Sequence, residues 1–228
     1  MSQSSATTHN GTIQVDLHIH TCYSGDTLTS LEEVIAAVQK RGLGAVAITD
    51  HNAIAGALEL QRLAPFPVIA AEEVLTNEGE IIGLFLNEFI PPGLTPAETV
   101  AHIHAQGGLV YVPHPFDGLR DSALHEPALM SILHQVDVLE VLNARVIRPA
   151  HNERAQRLAQ EYHLPGGAGS DAHTAFEIGQ AYLEMQSFAD RDEFLRNLAS
   201  ARVCGHLSSP AVHLFTRWAK LQKWRSRA

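Results

Sequence analysis

The chain has 228 residues, 45% of them hydrophobic, with 25 Asp and Glu against 16 Lys and Arg and a formal net charge of −9. That length fits one large domain with a substantial core, no run of about 18 apolar residues is present to span a membrane, and the acidic balance argues against nucleic-acid binding by broad electrostatic attraction. Two distant cysteines, Cys22 and Cys204, exclude a disulfide framework and a paired-cysteine zinc motif, and fit a reducing, cytoplasmic setting.

The first dozen residues, MSQSSATTHNGT, are polar and lack the apolar core of an export signal, so residues 1–12 are expected as a disordered tail of an unexported protein. The run IQVDLH predicts a strand; alternate strand residues share a face, so His18 and His20 project together as a chelating fork. TSLEEVIAAVQKRG predicts a helix capped by Thr29 or Ser30 and stopped at Gly42. The strand GAVAIT leads to Asp50 and His51, and after the helix AIAGALELQRL the strand FPVIAA leads to Glu72 and Glu73. A further strand, EIIGLFL, starts at Glu80 and is followed by the helix TPAETVAHIHAQGG. GLVYVP leads to His114, and after the helix SALHEPALMSILHQ the strand VDVLEVL leads to Asn143 and Arg145. The helix RPAHNERAQRLAQEYH precedes LPGGAG, which leads to Asp171 and His173; QAYLEM and DRDEFLRNLASA complete the alternation. The last segment, AVHLFTRWAKLQKWRSRA, carries Arg217, Lys220, Lys223, Arg225 and Arg227 without an acid, leaving −14 for the residues before it. It predicts a basic amphipathic helix within 208–228, with Leu214, Trp218 and Leu221 on one face and Trp224 near it, docked on the domain.

Seven or eight alternating strand and helix units in one domain favour a closed parallel α/β barrel over an open doubly wound sheet, and no glycine-rich phosphate fingerprint follows the first strand. In such a barrel the chemistry sits at the carboxyl ends of the strands. Five predicted strands end in imidazole or carboxylate, where ordinary solvated loops would draw Lys, Ser and Asn as often, so a polynuclear metal site is expected. A histidine and carboxylate set without thiolate pairs suits Zn, Mn or Fe better than Mg. Lysine occurs only at positions 40, 220 and 223, so no strand end supplies one for a carbamylated metal bridge or a Schiff base. Glu72 and Asp50 are read as orienting carboxylates, Cys22 as a partly buried inert thiol, and the helix histidines His102, His104, His125, His134 and His163 carry no chemistry. Arg145 is read as a bidentate phosphate contact, with an ion pair to a neighbouring carboxylate as the alternative.

In order, DLHIHTCYSGD, ITDHN, AAEEV, VPHPFD and GSDAH resemble the motifs of the PHP family, the polymerase and histidinol phosphatase superfamily of metal-dependent phosphoesterases, over roughly residues 14–185. The resemblance implies a distorted (β/α)7 barrel over residues 13–207, holding two or three divalent ions at the carboxyl ends of its strands. It makes His18, His20, His51, Glu73, His114, Asp171 and His173 ligands, and Asp26 a ligand in a segment whose Gly and Asp order is inverted here. Where many relatives have a histidine, this chain has Glu80, read as a ligand or as a solvated turn residue. Relatives that act on nucleotide bisphosphates or short RNA carry a helical insertion before the HP motif, whereas 41 positions separate Glu73 from His114, so a more open site is expected. The implied activity is phosphate-ester hydrolysis by a hydroxide bridging two ions. Arg145 would orient the ester, and a ligand-bound water or a site histidine such as His173 would protonate the leaving oxygen. Expected substrates are a small phosphomonoester or a nucleotide, extending to a short oligonucleotide. The alternatives are hydrolysis of an amide or cyclic ester and a catalytically silent metal-binding module.

Overall fold

The computed structural model describes residues 11–227, so residues 1–10 of the expected tail lie outside the described residues and Thr12 already starts the first strand. Strand β1 (Thr12–Ile19) leads into helix α1 (Leu31–Arg41), then β2 (Ala45–Ile48), α2 (Ala55–Leu63), β3 (Val68–Thr76) and β4 (Gly79–Leu84). After α3 (Pro96–Ala105) come β5 (Leu109–Val112), α4 (Glu126–Ile132), β6 (Val138–Asn143), α5 (Pro149–Glu161) and β7 (Gly166–Gly169). The chain ends with β8 (Ala181–Gln186), α6 (Arg191–Leu198), β9 (Arg202–Gly205) and α7 (Val212–Arg227).

Local chemistry explains the boundaries. Ser30, the second of the two predicted caps, opens α1 with a reciprocal capping box: Ser30 Oγ accepts from Glu33 N at 3.2 Å and Glu33 Oε2 accepts from Ser30 N at 2.8 Å. Gly42 closes the helix at φ 71°, in the left-handed region. Thr95 opens α3 in the same reciprocal way with Glu98.

Among the described residues nine strands form one sheet in the order β7-β6-β5-β4-β3-β2-β1-β8-β9. The pairs β1–β2, β2–β3, β5–β6 and β6–β7 are parallel, as a barrel requires. The strand EIIGLFL is not: β4 runs antiparallel to both β3 and β5. Only Asn77 and Glu78 separate β3 from β4, enough for a hairpin, whereas a parallel partner needs a crossover of about a dozen residues or more. β8 and β9 also pair antiparallel, on the far side of β1. The sheet nearly closes at one end, where Ile19 bridges Ala172 in parallel and His20 N donates to Ala172 O at 2.9 Å. The fold is thus a distorted α/β barrel whose parallel repeat is interrupted at β4 and after β7.

Alternation along the strands divides the core in two. Ala45 and Ala47 of β2 join Val15, Leu17, Ile69, Ile82, Tyr111, Val138 and Leu183 in one cluster drawn from most strands. Val46 and Ile48 of the same strand face Val34, Val38, Leu60, Val100 and Ile103 of the surrounding helices. β1 breaks this rule: its register against β2 shifts between Asp16 and Ile19, and Leu17 and Ile19 lie in different clusters. His18 and His20 nevertheless meet as the fork expected of them, with their Nε2 atoms 3.1 Å apart.

α7 departs from expectation in a different way. Val212 and Ala219 are buried against the barrel, but Leu214, Trp218, Leu221 and Trp224 are exposed. Beside Val212 and Ala219, the side turned inward carries the half-buried Thr216 and Lys223, and Lys220 lies at its exposed edge. Among the described residues no helix is long and apolar enough to cross a membrane.

Candidate metal centre

The strand ends converge on Glu73. Its carboxylate lies within β3, fully buried; Oε2 is 3.0 Å from His51 Nδ1, 3.4 Å from His20 Nε2 and 3.5 Å from His18 Nε2, and Oε1 is 3.2 Å from His114 Nε2. Asp171 stands on the other side of the histidine pair, with Oδ1 3.3 Å from His20 Nε2 and 3.7 Å from His18 Nε2. Asp26 lies against His173 Nε2 at 3.2 Å and His51 Nε2 at 3.4 Å. Glu80 is buried, not a solvated turn residue: it sits 3.3 Å from His51 Nδ1 and 3.7 Å from His114 Nε2. Its position on β4 follows from the hairpin, which folds Glu80 back beside the end of β3.

These contacts form four overlapping groups, His20/His51/His173, His18/His20/Glu73, His18/His114/Asp171 and His51/Glu73/Glu80, each with ligand atoms within 4.8 Å of one another. The donor chemistry fits divalent cations. His18 Nε2 and His20 Nε2 lie 3.1 Å apart, and His18 Nδ1 is engaged by Glu140 Oε1 at 3.1 Å. A neutral imidazole carries one proton, so with it on Nδ1 the His18 Nε2 lone pair faces the cluster. His173 has the same logic, with Nδ1 2.9 Å from the carbonyl of Asp171 and Nε2 toward Asp26. Buried oxygens Glu73 Oε2, Glu80 Oε2 and Asp171 Oδ1 have no hydrogen-bond donor, an expensive arrangement for carboxylates unless a cation satisfies them.

Burial pushes His20 down to about 3, with its neighbours His173 and His51 adding to the shift, and keeps it a neutral ligand-type imidazole. Burial alone would raise Glu73 and Asp171, yet both are held well below the usual carboxylate range, Glu73 by His18 and His51, Asp171 by Arg120 and His18. Two of the residues involved adopt positive φ, His114 at 31° and Asp171 at 53°, a strain that surrounding bonds hold in place. His114 N, for one, donates to Glu140 Oε2 at 2.7 Å.

A supporting layer orients this set. Glu140 also accepts from Tyr111 Oη at 2.9 Å and Asn143 Nδ2 at 2.9 Å. Gly169 makes room for it: a Cβ there would fall 2.2 Å from His18 Cβ. Asp16 staples β1 to the segment after β7, accepting from Ser170 N at 2.9 Å and Gly179 N at 2.8 Å, and burial raises it to about 6. Asp50 accepts from Thr21 N at 2.6 Å and Thr21 Oγ1 at 2.7 Å, and Glu72 accepts from Ile90 N at 3.0 Å; neither belongs to the four groups. Cys22 is exposed rather than partly buried, and it too is outside those groups.

Two arginines reach Asp171. Arg145 is buried and turned into the protein, donating to Asp171 O at 3.3 Å and Thr216 Oγ1 at 2.7 Å, with Nε 3.4 Å from Glu177 Oε1. This is the ion-paired alternative. The guanidinium at the cluster belongs to Arg120, whose Nη2 donates to Asp171 Oδ2 at 2.6 Å while its side chain keeps 19% exposure. Arg120 escaped the sequence reading because it lies six positions beyond His114, inside the loop VPHPFDGLR rather than next to a strand end. Glu140 escaped it because a carboxylate in mid-strand carries no local signal.

Residues 16–73 match the family described as PHP domain, and residues 149–203 match the one described as PHP-associated. Seven of the clustered residues fall in these two stretches, and Glu80 and His114 lie between them. An uncharacterized protein of Methanocaldococcus jannaschii is 36% identical over 175 residues, covering 75% of this chain and 70% of its own. A protein of Escherichia fergusonii named "Probable phosphatase YcdX" is 24% identical, covering 91% of this chain and 99% of its own. Among solved structures, a two-domain protein of Bacteroides vulgatus, described as containing a "predicted PHP-like metal-dependent phosphoesterase", superposes with a TM-score of 0.67 at 14% identity, over 91% of this chain and 70% of that one.

Proposed function

The chain belongs to the PHP family, and from that premise we propose that it hydrolyses phosphate esters with two or three divalent ions held by His18, His20, Asp26, His51, Glu73, Glu80, His114, Asp171 and His173. The observation that carries this reading is the cluster around Glu73, whose unpartnered carboxylate oxygens and facing imidazole nitrogens share one volume. When bound, such ions polarise phosphoryl oxygens and make water nucleophilic near neutral pH.

The remaining work is done by side chains. Glu140 fixes the tautomer and direction of His18. Arg120, always charged, keeps Asp171 ionised and offers its other N–H donors to phosphate oxygens, the role expected of Arg145. We assign Arg145 to positioning, since it braces the Asp171 carbonyl and α7. His173 Nε2 is oriented by the Nδ1 contact to Asp171 O, so it serves as a ligand or passes a proton to the leaving oxygen. The substrates proposed are small phosphomonoesters or nucleotides, with short oligonucleotides as an extension.

Elemental analysis after supplementation with Mn or Zn, combined with a screen of generic esters, sugar phosphates, nucleotides and short oligonucleotides, tests the proposal. At least two ions per chain and metal-dependent release of phosphate are expected, both lost in His18→Ala and Asp171→Ala. One ion or fewer, or full activity in either variant, would overturn it.

A further inference from the structure

α7 is turned the wrong way for a helix that docks to bury its apolar face. Trp218 is 53% exposed and Trp224 68%, while three polar residues, Thr216, Lys220 and Lys223, make contacts on the side of the buried Val212 and Ala219, with Lys220 at its exposed edge. Each of the three reaches the surroundings of the candidate metal centre. Thr216 Oγ1 accepts from Arg145, which also holds the carbonyl of Asp171. Lys223 Nζ donates to Cys22 O at 2.6 Å and to Ser24 O, in the loop that bears Asp26. Lys220 Nζ lies between these ties, 3.6 Å from Asp26 Oδ2, with its side chain 61% exposed. Phe215 adds an edge-to-face contact with Phe176 at 5.6 Å between centroids.

We infer that α7 is a strap across the mouth of the site and that Lys220 is a second phosphate-binding cation, partnering Arg120 and favouring a terminal, dianionic phosphate over an internal diester. The inference rests on the phosphoesterase reading above. Lys220 is free for this role because Asp26 has closer partners in Ser24 Oγ at 3.1 Å, His173 Nε2 at 3.2 Å and His51 Nε2 at 3.4 Å. At 3.6 Å the ammonium is beyond hydrogen-bond range and exposed to an incoming anion. The two cations meet the cluster at different carboxylates, Arg120 at Asp171 and Lys220 at Asp26, and both carboxylates contact His173. A terminal phosphate ester carries about 1.5 to 2 negative charges at neutral pH, against one for a diester, so a second fixed cation discriminates by charge. The strap also supplies the lysine that no strand end provides.

The test is Lys220→Met, which keeps length and removes charge at an exposed position. Mn-loaded wild type and variant are compared in two measurements: calorimetric binding of inorganic phosphate, and the ratio of kcat/KM for p-nitrophenyl phosphate to that for bis(p-nitrophenyl) phosphate. Phosphate binding and the monoester to diester ratio are each expected to fall about tenfold, with metal content unchanged and Lys220→Arg restoring most of both. Phosphate affinity within twofold of wild type, an unchanged ratio, or a wild type that binds no phosphate would overturn the inference. If the wild type binds phosphate through Lys220 but cleaves neither ester, the phosphate affinity decides alone and it is the phosphoesterase reading that fails.

Discussion

At the scale of the residue, burial separates the two arginines that reach Asp171. Arg120 meets Asp171 from a partly open position, whereas Arg145 is enclosed with Glu177. Arg120→Met is therefore expected to retain its metals and lose about a hundredfold in kcat/KM on a phosphomonoester, the effect of a missing charged contact in the transition state. Arg145→Met leaves Glu177 buried beside no cation, and removing one partner of a buried pair costs about 3–5 kcal/mol. Its signature is a lowered denaturation midpoint. If Arg145→Met instead kept wild-type stability and lost only turnover, the assignment of the two residues would be reversed. Glu80 offers a further test at this scale. As a carboxylate between His51 and His114 it is expected to hold the most weakly bound ion, so Glu80→Gln should lower metal content by about one ion and raise the metal concentration needed for activity. Unchanged stoichiometry and activity would remove Glu80 from the ligand set.

At the scale of the element, the β3–β4 hairpin decides where Glu80 goes. Its turn depends on Gly79, which sits at φ 124° with Leu124 Cα 2.4 Å from where a Cβ would be placed. An alanine there meets both a backbone conformation that L residues rarely adopt and a collision with backbone rather than a flexible side chain. Gly79→Ala is expected to destabilise the protein by about 2 kcal/mol or more in urea unfolding, and to weaken metal binding as Glu80 shifts. A smaller loss, about 1 kcal/mol, is expected for Ser30→Ala at the cap of α1, which lies apart from the cluster and should leave metal content intact. Equal effects of the two variants on metal binding would show that the hairpin does not position Glu80.

For the molecule as a whole, the cluster gathers β1, the loops after β2 and β7, β3, β4 and the segment beyond β5, so bound ions tie the sheet together where it nearly closes. A ligand that binds only the folded state adds about 2.7 kcal/mol at a concentration of 100 Kd. Treatment with a chelator is therefore expected to lower Tm by several degrees, and Mn or Zn, not Ca at equal concentration, to restore it. A Tm indifferent to chelation and resupply would count against metals in the cluster.

The residues that meet around Glu73 were legible in the sequence because ligand chemistry belongs to residue type, and because each type follows a short apolar run whose period marks a strand end. His18, His20, His51, His114, Asp171 and His173 are of this kind, as are the cap at Ser30 and the stop at Gly42. What only the tertiary structure decided is direction and facing. The hairpin reverses β4 and carries Glu80 into the cluster; a loop trajectory brings Arg120 to Asp171 across 51 positions of sequence; and α7 sets Thr216 and Lys223, not its tryptophans, against the barrel. The last two follow from neither local period nor propensity, because they are set by contacts between segments far apart in the chain, where burial and charge pairing, not the pattern of neighbours, select which side chain faces which partner.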